Sequence, residues 1–240
     1  MSSRVRLPKA VEAAIIGLDR SSRRSFLKGS GALVFSLGAG ALSGADAPTD
    51  RPVAAGPWPD PDFLQLDTWI VVHPDNTATF YVGKTDGGQG TGTAFRQLMC
   101  DELDIAYDST RLVMGCTDTT PDQGGSGGSD AIERDGWPMR RVAAEARRVL
   151  LELGGQHLGV AVDLLAVSNA TIALKSDPSR KVTYAELVGG KRFNVKLSGR
   201  NVDATTGQAA VKPVNELRVV GQPLQRYDIP GKVDGSQKWA

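Results

Sequence analysis

From residue 68 onward the apolar positions follow first a two-residue and then a helical period. β-Branched and aromatic residues crowd 68–73 and 77–82, and Pro74-Asp75-Asn76 between them has the composition of a chain reversal, so the pattern predicts a β-hairpin. The second strand runs directly into Gly83-Lys84-Thr85-Asp86-Gly87-Gly88-Gln89-Gly90-Thr91-Gly92, after which Phe95, Leu98, Met99 and Leu103 recur at helical spacing. That order of strand, glycine loop and helix then repeats. Residues 112–114 read as a short strand and 117–129 as a second polar glycine loop. Val142, Ala146, Val149 and Leu150 then give a helix over 137–153 one apolar face. Farther on, 164–167 and 171–174 are strand-like, 184–187 is a turn of helix, and the remainder is extended and polar. Strand–loop–helix units mixed with hairpins predict an α+β fold, a mixed sheet with helices on one side, rather than a regular βαβ series.

Upstream of this patterned region the chain is of another kind. Residues 1–47 divide into a basic start, an apolar middle over 32–42 that is short and glycine-rich, and a small-residue end at Ala45-Asp46-Ala47, the layout of a cleaved export signal. Within it, Ser22-Arg23-Arg24-Ser25-Phe26-Leu27-Lys28 matches the twin-arginine pattern, which addresses folded proteins for export. The expectation is a periplasmic protein that folds, and takes up any cofactor, before it crosses the membrane. The apolar middle is well short of the ~18 residues that a spanning helix needs. Residues 48–66 then read as a proline-rich linker.

Charge narrows the function classes. The chain carries 28 basic and 27 acidic residues, and removal of 1–47 leaves 21 against 24, so no basic footprint for nucleic acid survives. His73 and His157 stand in no ligand spacing with each other or with a cysteine, so no protein-held zinc or haem is expected and any metal must arrive inside a cofactor. Cys100, in the apolar helical pattern, and Cys116, at a strand end, read as buried free thiols rather than as a disulfide.

A glycine loop between strand and helix exposes N–H groups that suit an anion, and two such loops suit one extended ligand. Gly83-Lys84-Thr85 invites comparison with a phosphate-binding P-loop, but that motif needs glycine at the position of Ala78. A dinucleotide fingerprint fails as well, because its third glycine would fall on Thr93 or Phe95. On these residues alone, tight turns and a ligand site are equally good readings.

Three stretches resemble a known family. They are Gly87-Gly88-Gln89-Gly90-Thr91-Gly92-Thr93 with Glu102-Leu103 closing the next helix, the loop over 120–129 ahead of a long helix, and Gly221-Gln222-Pro223-Leu224-Gln225-Arg226-Tyr227-Asp228-Ile229-Pro230-Gly231-Lys232-Val233. Together they resemble the molybdopterin-binding large subunits of molybdenum hydroxylases, of the isoquinoline 1-oxidoreductase β-subunit type, related to xanthine dehydrogenase and aldehyde oxidase. The resemblance implies molybdopterin as cofactor, with the cytosine dinucleotide as one form. It implies contacts from Gly88, Gln89, Gly90 and Thr91 in the first loop and from Gly125, Ser126, Gly127, Gly128 and Ser129 in the second.

The same resemblance implies oxidative hydroxylation of an N-heterocycle or aldehyde, with electrons leaving through iron–sulfur clusters on a small [2Fe-2S] partner subunit, and a cytochrome as a further candidate partner. It divides the chain into a partial cofactor-binding domain over 67–215 and, over 216–240, the start of an α/β hammerhead-like domain that further sequence or a split-gene partner would complete. The family's general base and metal-facing loop match nothing here, so no catalytic and no metal-ligating residue is assigned. Glu102 and Glu145 read as exposed positions beside apolar helix faces. A non-catalytic or remnant cofactor-binding module, or a periplasmic anion-binding protein, are the competing readings, and the chain alone is not expected to turn over substrate.

Overall fold

The computed structural model describes residues 62–236; the export signal and most of the linker lie outside the described residues. The predicted hairpin is β1 (Ile70–Val72) and β2 (Ala78–Val82), paired antiparallel with Ile70 opposite Phe80 and Val72 opposite Ala78. Its reversal is fixed by chemistry local to the turn. The Asp75 carboxylate accepts from both the N–H and the hydroxyl of Thr77, and Asn76 adopts the left-handed conformation, which asparagine tolerates.

The glycine loop leads from β2 into α1 (Thr91–Leu103), and β3 (Thr110–Met114) returns parallel to β2, giving a mixed three-stranded sheet in the order β1-β2-β3. After the second loop, one π-type turn (Ala131–Asp135) feeds α2 (Gly136–Leu158), which packs on α1. Phe80 and Val82 from the sheet, Phe95, Met99 and Leu103 from α1, and Met139, Val142, Ala146 and Leu150 from α2 share one core. The fold is thus α+β, as the alternation of elements predicted.

A second sheet follows, antiparallel throughout: β4 (Leu165–Ser168), β5 (Thr171–Leu174) and β6 (Asp177–Thr183) in that order. It ends in α3 (Tyr184–Val188), held by a reciprocal cap in which Thr183 and Glu186 bond each other's side chain and backbone. β6 has no hydrophobic alternation. It is an edge strand of which only Val182 is buried, and it carries Pro178, which an edge tolerates.

α2 continues one turn beyond the sequence expectation, through Gly154-Gly155. These glycines do not break the helix because they are points of close approach. A Cβ on Gly154 would lie 2.9 Å from the Ile172 side chain, and one on Gly155 would lie 2.9 Å from the Val160 carbonyl oxygen. The helix stops only at Gly159, whose left-handed conformation closes it.

Beyond α3 the chain joins neither sheet. It is held instead by buried carboxylates whose oxygens accept its backbone N–H groups. Asp67 takes those of Phe193 and Asn194 at 2.7 and 2.9 Å, and Glu145 takes those of Gln208 and Ala209 at 2.8 and 2.9 Å. Glu102 takes that of Lys212 at 3.0 Å, and Asp101 takes those of Arg218, Val219 and Val220. Glu102 and Glu145 are therefore buried, only 1% and 2% exposed, contrary to their sequence reading. The apolar periodicity of α1 and α2 predicts the face toward the sheet, but it cannot show that a second face is covered by polar chain. A short helix, α4 (Ile229–Asp234), ends the described region, begun by proline in its first turn.

Candidate functional site

The two glycine loops leave the same end of the mixed sheet, one after β2 and one after the parallel β3, and they are tied to each other at three successive residues. The Gly83 N–H donates to Gln123 Oε1 at 2.7 Å, Lys84 Nζ to the Gly125 carbonyl at 3.0 Å, and the Thr85 N–H to Ser126 Oγ at 2.8 Å. Gly83 must be glycine, since a Cβ there would overlap the Pro121 carbonyl. Lys84 also pairs with Asp135 at 3.2 Å, and burial pushes the Asp135 carboxyl up even though Lys84 opposes the shift. The lysine that invited the P-loop comparison is thus a buried strut between the loops.

The first loop is shaped around Asp86. Its Oδ1 accepts the N–H groups of Gly88 and Gly90 at 2.9 and 3.1 Å, and its Oδ2 accepts that of Gly92 at 3.1 Å. Gly88 and Gly90 have φ of 114° and 89°, which let these amides turn toward one carboxylate. Burial raises the Asp86 carboxyl, but the three N–H groups and Arg226 outweigh it and hold the carboxyl below the ordinary range. From outside, Arg226 Nη1 donates to the Gly88 carbonyl at 2.8 Å, and the guanidinium is clamped by Asp228 at 2.6 Å. Tyr227 lies against Gly92, where a Cβ would meet its hydroxyl at 2.6 Å.

Between the loops is an open cleft of about 590 Å³. Gln89 and Thr91 line one wall, with Gln89 Nε2 3.2 Å from Thr91 Oγ1. Ser126, Gly127, Gly128 and Ser129 line the other, and Ala131 and Ile132 give it an apolar end. A Cβ built on Gly124, Gly125 or Gly127 meets nothing within 4 Å, so a bound molecule can approach that backbone closely.

Of the nine residues expected to contact a ligand, Gln89, Thr91, Ser126, Gly127, Gly128 and Ser129 line the cleft. Gly88, Gly90 and Gly125 are not on its lining. The first two turn their N–H groups to Asp86, and the Gly125 carbonyl is engaged by Lys84. Thr85 and Ile132 line the cleft without having been singled out. Thr85 lies within the glycine run 83–92, so position alone could have found it; nothing in the sequence distinguishes Ile132. Both thiols are free, with Cys100 buried and Cys116 exposed, so Cys116 departs from its expected burial because it follows β3 into the open second loop. Among the described residues, no cluster of three His, Cys, Asp or Glu side chains suits a metal ion, and no helix is long and apolar enough to cross a membrane.

A model of the molybdopterin cofactor-binding domain matches residues 31–219 of the chain. A nicotinate dehydrogenase subunit of Pseudomonas putida is 31% identical over 188 residues, covering 78% of this chain and 15% of that protein. The membrane-bound aldehyde dehydrogenase [pyrroloquinoline-quinone] of Gluconacetobacter polyoxogenes is 25% identical over 92% of this chain and 28% of its own length. The β-subunit of isoquinoline 1-oxidoreductase from Brevundimonas diminuta is 27% identical over 95% of this chain and 32% of its own. The chain spans about a third or less of each of these relatives.

Proposed function

The chain belongs to the molybdopterin cofactor-binding domain family, and from that premise we propose that it is the amino-terminal portion of an exported molybdenum hydroxylase subunit whose cofactor lies in the cleft between the two glycine loops. The observation that carries this reading is the convergence of Gln89 and Thr91 with residues 126–129 on one cleft, although some 35 residues separate them in the chain.

The residues present fit such a group. The cleft offers amide and hydroxyl side chains suited to the hydrogen-bonding edge of a pterin, and unobstructed glycine backbone that a large ligand can approach. When bound, the cofactor would supply the redox chemistry for oxidative hydroxylation of an N-heterocycle or aldehyde. The chain's own part is to bind and orient. Gln89 brings both a donor and an acceptor, Ser126 and Ser129 bring hydroxyls, Ile132 offers an apolar contact at one end, and the Lys84–Asp135 strut ties the walls together.

Periplasmic location follows from the twin-arginine sequence in 1–47. Turnover requires the remainder of a large subunit, encoded with this chain or separately, and an iron–sulfur partner to remove electrons. The cytosine dinucleotide is the proposed form of the cofactor.

The test is the molybdenum and pterin content of the chain purified from a molybdopterin-competent host, alone and co-expressed with the missing part of the subunit. Metal and pterin on co-expression support the reading. Neither in either preparation sinks the active-subunit reading and leaves a remnant module, and pyrroloquinoline quinone in their place assigns the cleft to a different cofactor.

A further inference from the structure

A strand–glycine loop–helix junction is ordinarily a receptor for phosphate, because its N–H groups converge on one point ahead of the helix. Here that point is filled by the protein itself. Three convergent N–H groups, of Gly88, Gly90 and Gly92, are bonded by both oxygens of Asp86. Arg226 covers the loop at Gly90 as well. The Arg226 guanidinium lies 3.0 Å from where a Gly90 Cβ would stand, donates to the Gly88 carbonyl, and has its own charge met by Asp228.

We infer that Asp86 is a specificity residue that serves as the first loop's resident anion: it excludes phosphate from the Gly88–Gly90–Gly92 amides and leaves that wall of the cleft to recognise a ligand through the Gln89 and Thr91 side chains. The second loop is built differently. Among the described residues, no carboxylate accepts from the N–H groups of residues 125–129, and those residues are exposed. The two walls therefore divide recognition, with a neutral amide and hydroxyl on one side and open glycine backbone on the other. This inference rests on the geometry of the loop and not on the identity of the cofactor.

The test is a titration of the isotopically labelled full chain with inorganic phosphate at neutral pH, following the amide resonances of Gly88, Gly90 and Gly92. In the wild-type protein these three are expected to stay unmoved. In Asp86→Ala they are expected to shift, with phosphate bound at least about tenfold more tightly than by wild type. Asp86→Glu, which restores the carboxylate, is expected to reverse that gain. Shifts of the same three amides in the wild-type protein overturn the inference. So does a folded Asp86→Ala that gains no phosphate response. Should Asp86→Ala not fold, the wild-type titration and Asp86→Asn, which keeps one acceptor oxygen but loses the charge, decide the matter. Asp86→Asn is expected to gain a weaker response of the same three amides, and none would overturn the inference. Failure to load pterin leaves these outcomes unchanged, so the two proposals fail separately.

Discussion

Lys84 and Asp135 lie 3.2 Å apart with both side chains at most 5% exposed, one at the end of β2 and the other at the foot of α2. Removing one partner of such a buried pair strands the other, at about 3–5 kcal/mol. Lys84→Met is therefore expected to lower unfolding stability by that amount, and Lys84→Met with Asp135→Leu to recover most of it. Urea unfolding of the two singles and the double provides the cycle. A loss below about 1 kcal/mol in the single would mark the pair as no stronger than a surface one.

Protonation of Asp86 should come late in an acid titration. Because the folded protein holds this carboxyl below its ordinary value, its contribution to stability is present above the unfolded value and is lost only as pH falls through the lower folded one. The Gly88, Gly90 and Gly92 amide shifts should accordingly stay flat through the usual carboxylate range and move together below it. A common midpoint inside that range would contradict the assignment.

The two thiols should separate cleanly. Burial pushes the Cys100 thiol up to about 12, partly countered by the Thr110 hydroxyl beside it, while Cys116 is exposed. Alkylation of the native protein at neutral pH should modify Cys116 alone, and Cys100 only after unfolding. Equal labelling of both in the native state would refute the placement of Cys100.

If the cleft holds a pterin, Gln89→Ala should weaken its retention by about five- to tenfold, the worth of one hydrogen bond of about 1–1.5 kcal/mol, with the thermal midpoint unchanged. Pterin released on dialysis, compared with wild type, measures it. Unchanged retention would place the ligand elsewhere.

Glu145→Gln should cost about 1–3 kcal/mol and open the chain near Gln208 to protease, because the carboxylate serves two N–H groups as well as Arg148. A wild-type cleavage pattern would show that this anchor is dispensable.

Apolar patterning in the sequence revealed the hairpin, α1, β3 and α2, whose apolar side chains pack on the same core, and the glycine runs marked the two loops. The patterning could not reveal β6, whose edge position leaves Val182 as its single buried hydrophobic residue, or the turn of α2 past Gly154, where glycine serves packing rather than termination. For the site, the resemblance indicated nine residues, of which six line the cleft, Gln89, Thr91 and residues 126–129. It did not indicate that Gly88 and Gly90 are turned inward by an aspartate two and four residues before them. Such a contact depends on two positive φ values, and composition does not encode them.

The anchoring of residues 193–220 has an evolutionary corollary. These carboxylate anchors grip peptide N–H groups, which all residues but proline possess, so the anchors themselves do not select the side chains of the residues they hold, although Leu197 and Thr205 are buried and Lys212 pairs with Asp104. The anchors are not indifferent to the length of the stretch. Gly207 must also stay small, because a Cβ there would collide with Glu145. An insertion or deletion of one residue between Ala209 and Lys212 would present the wrong peptide to Glu102, whereas substitution of an exposed residue such as Gln208 would leave the anchors in place. In this stretch, divergent relatives should keep the count of residues long after the exposed positions have lost their identity.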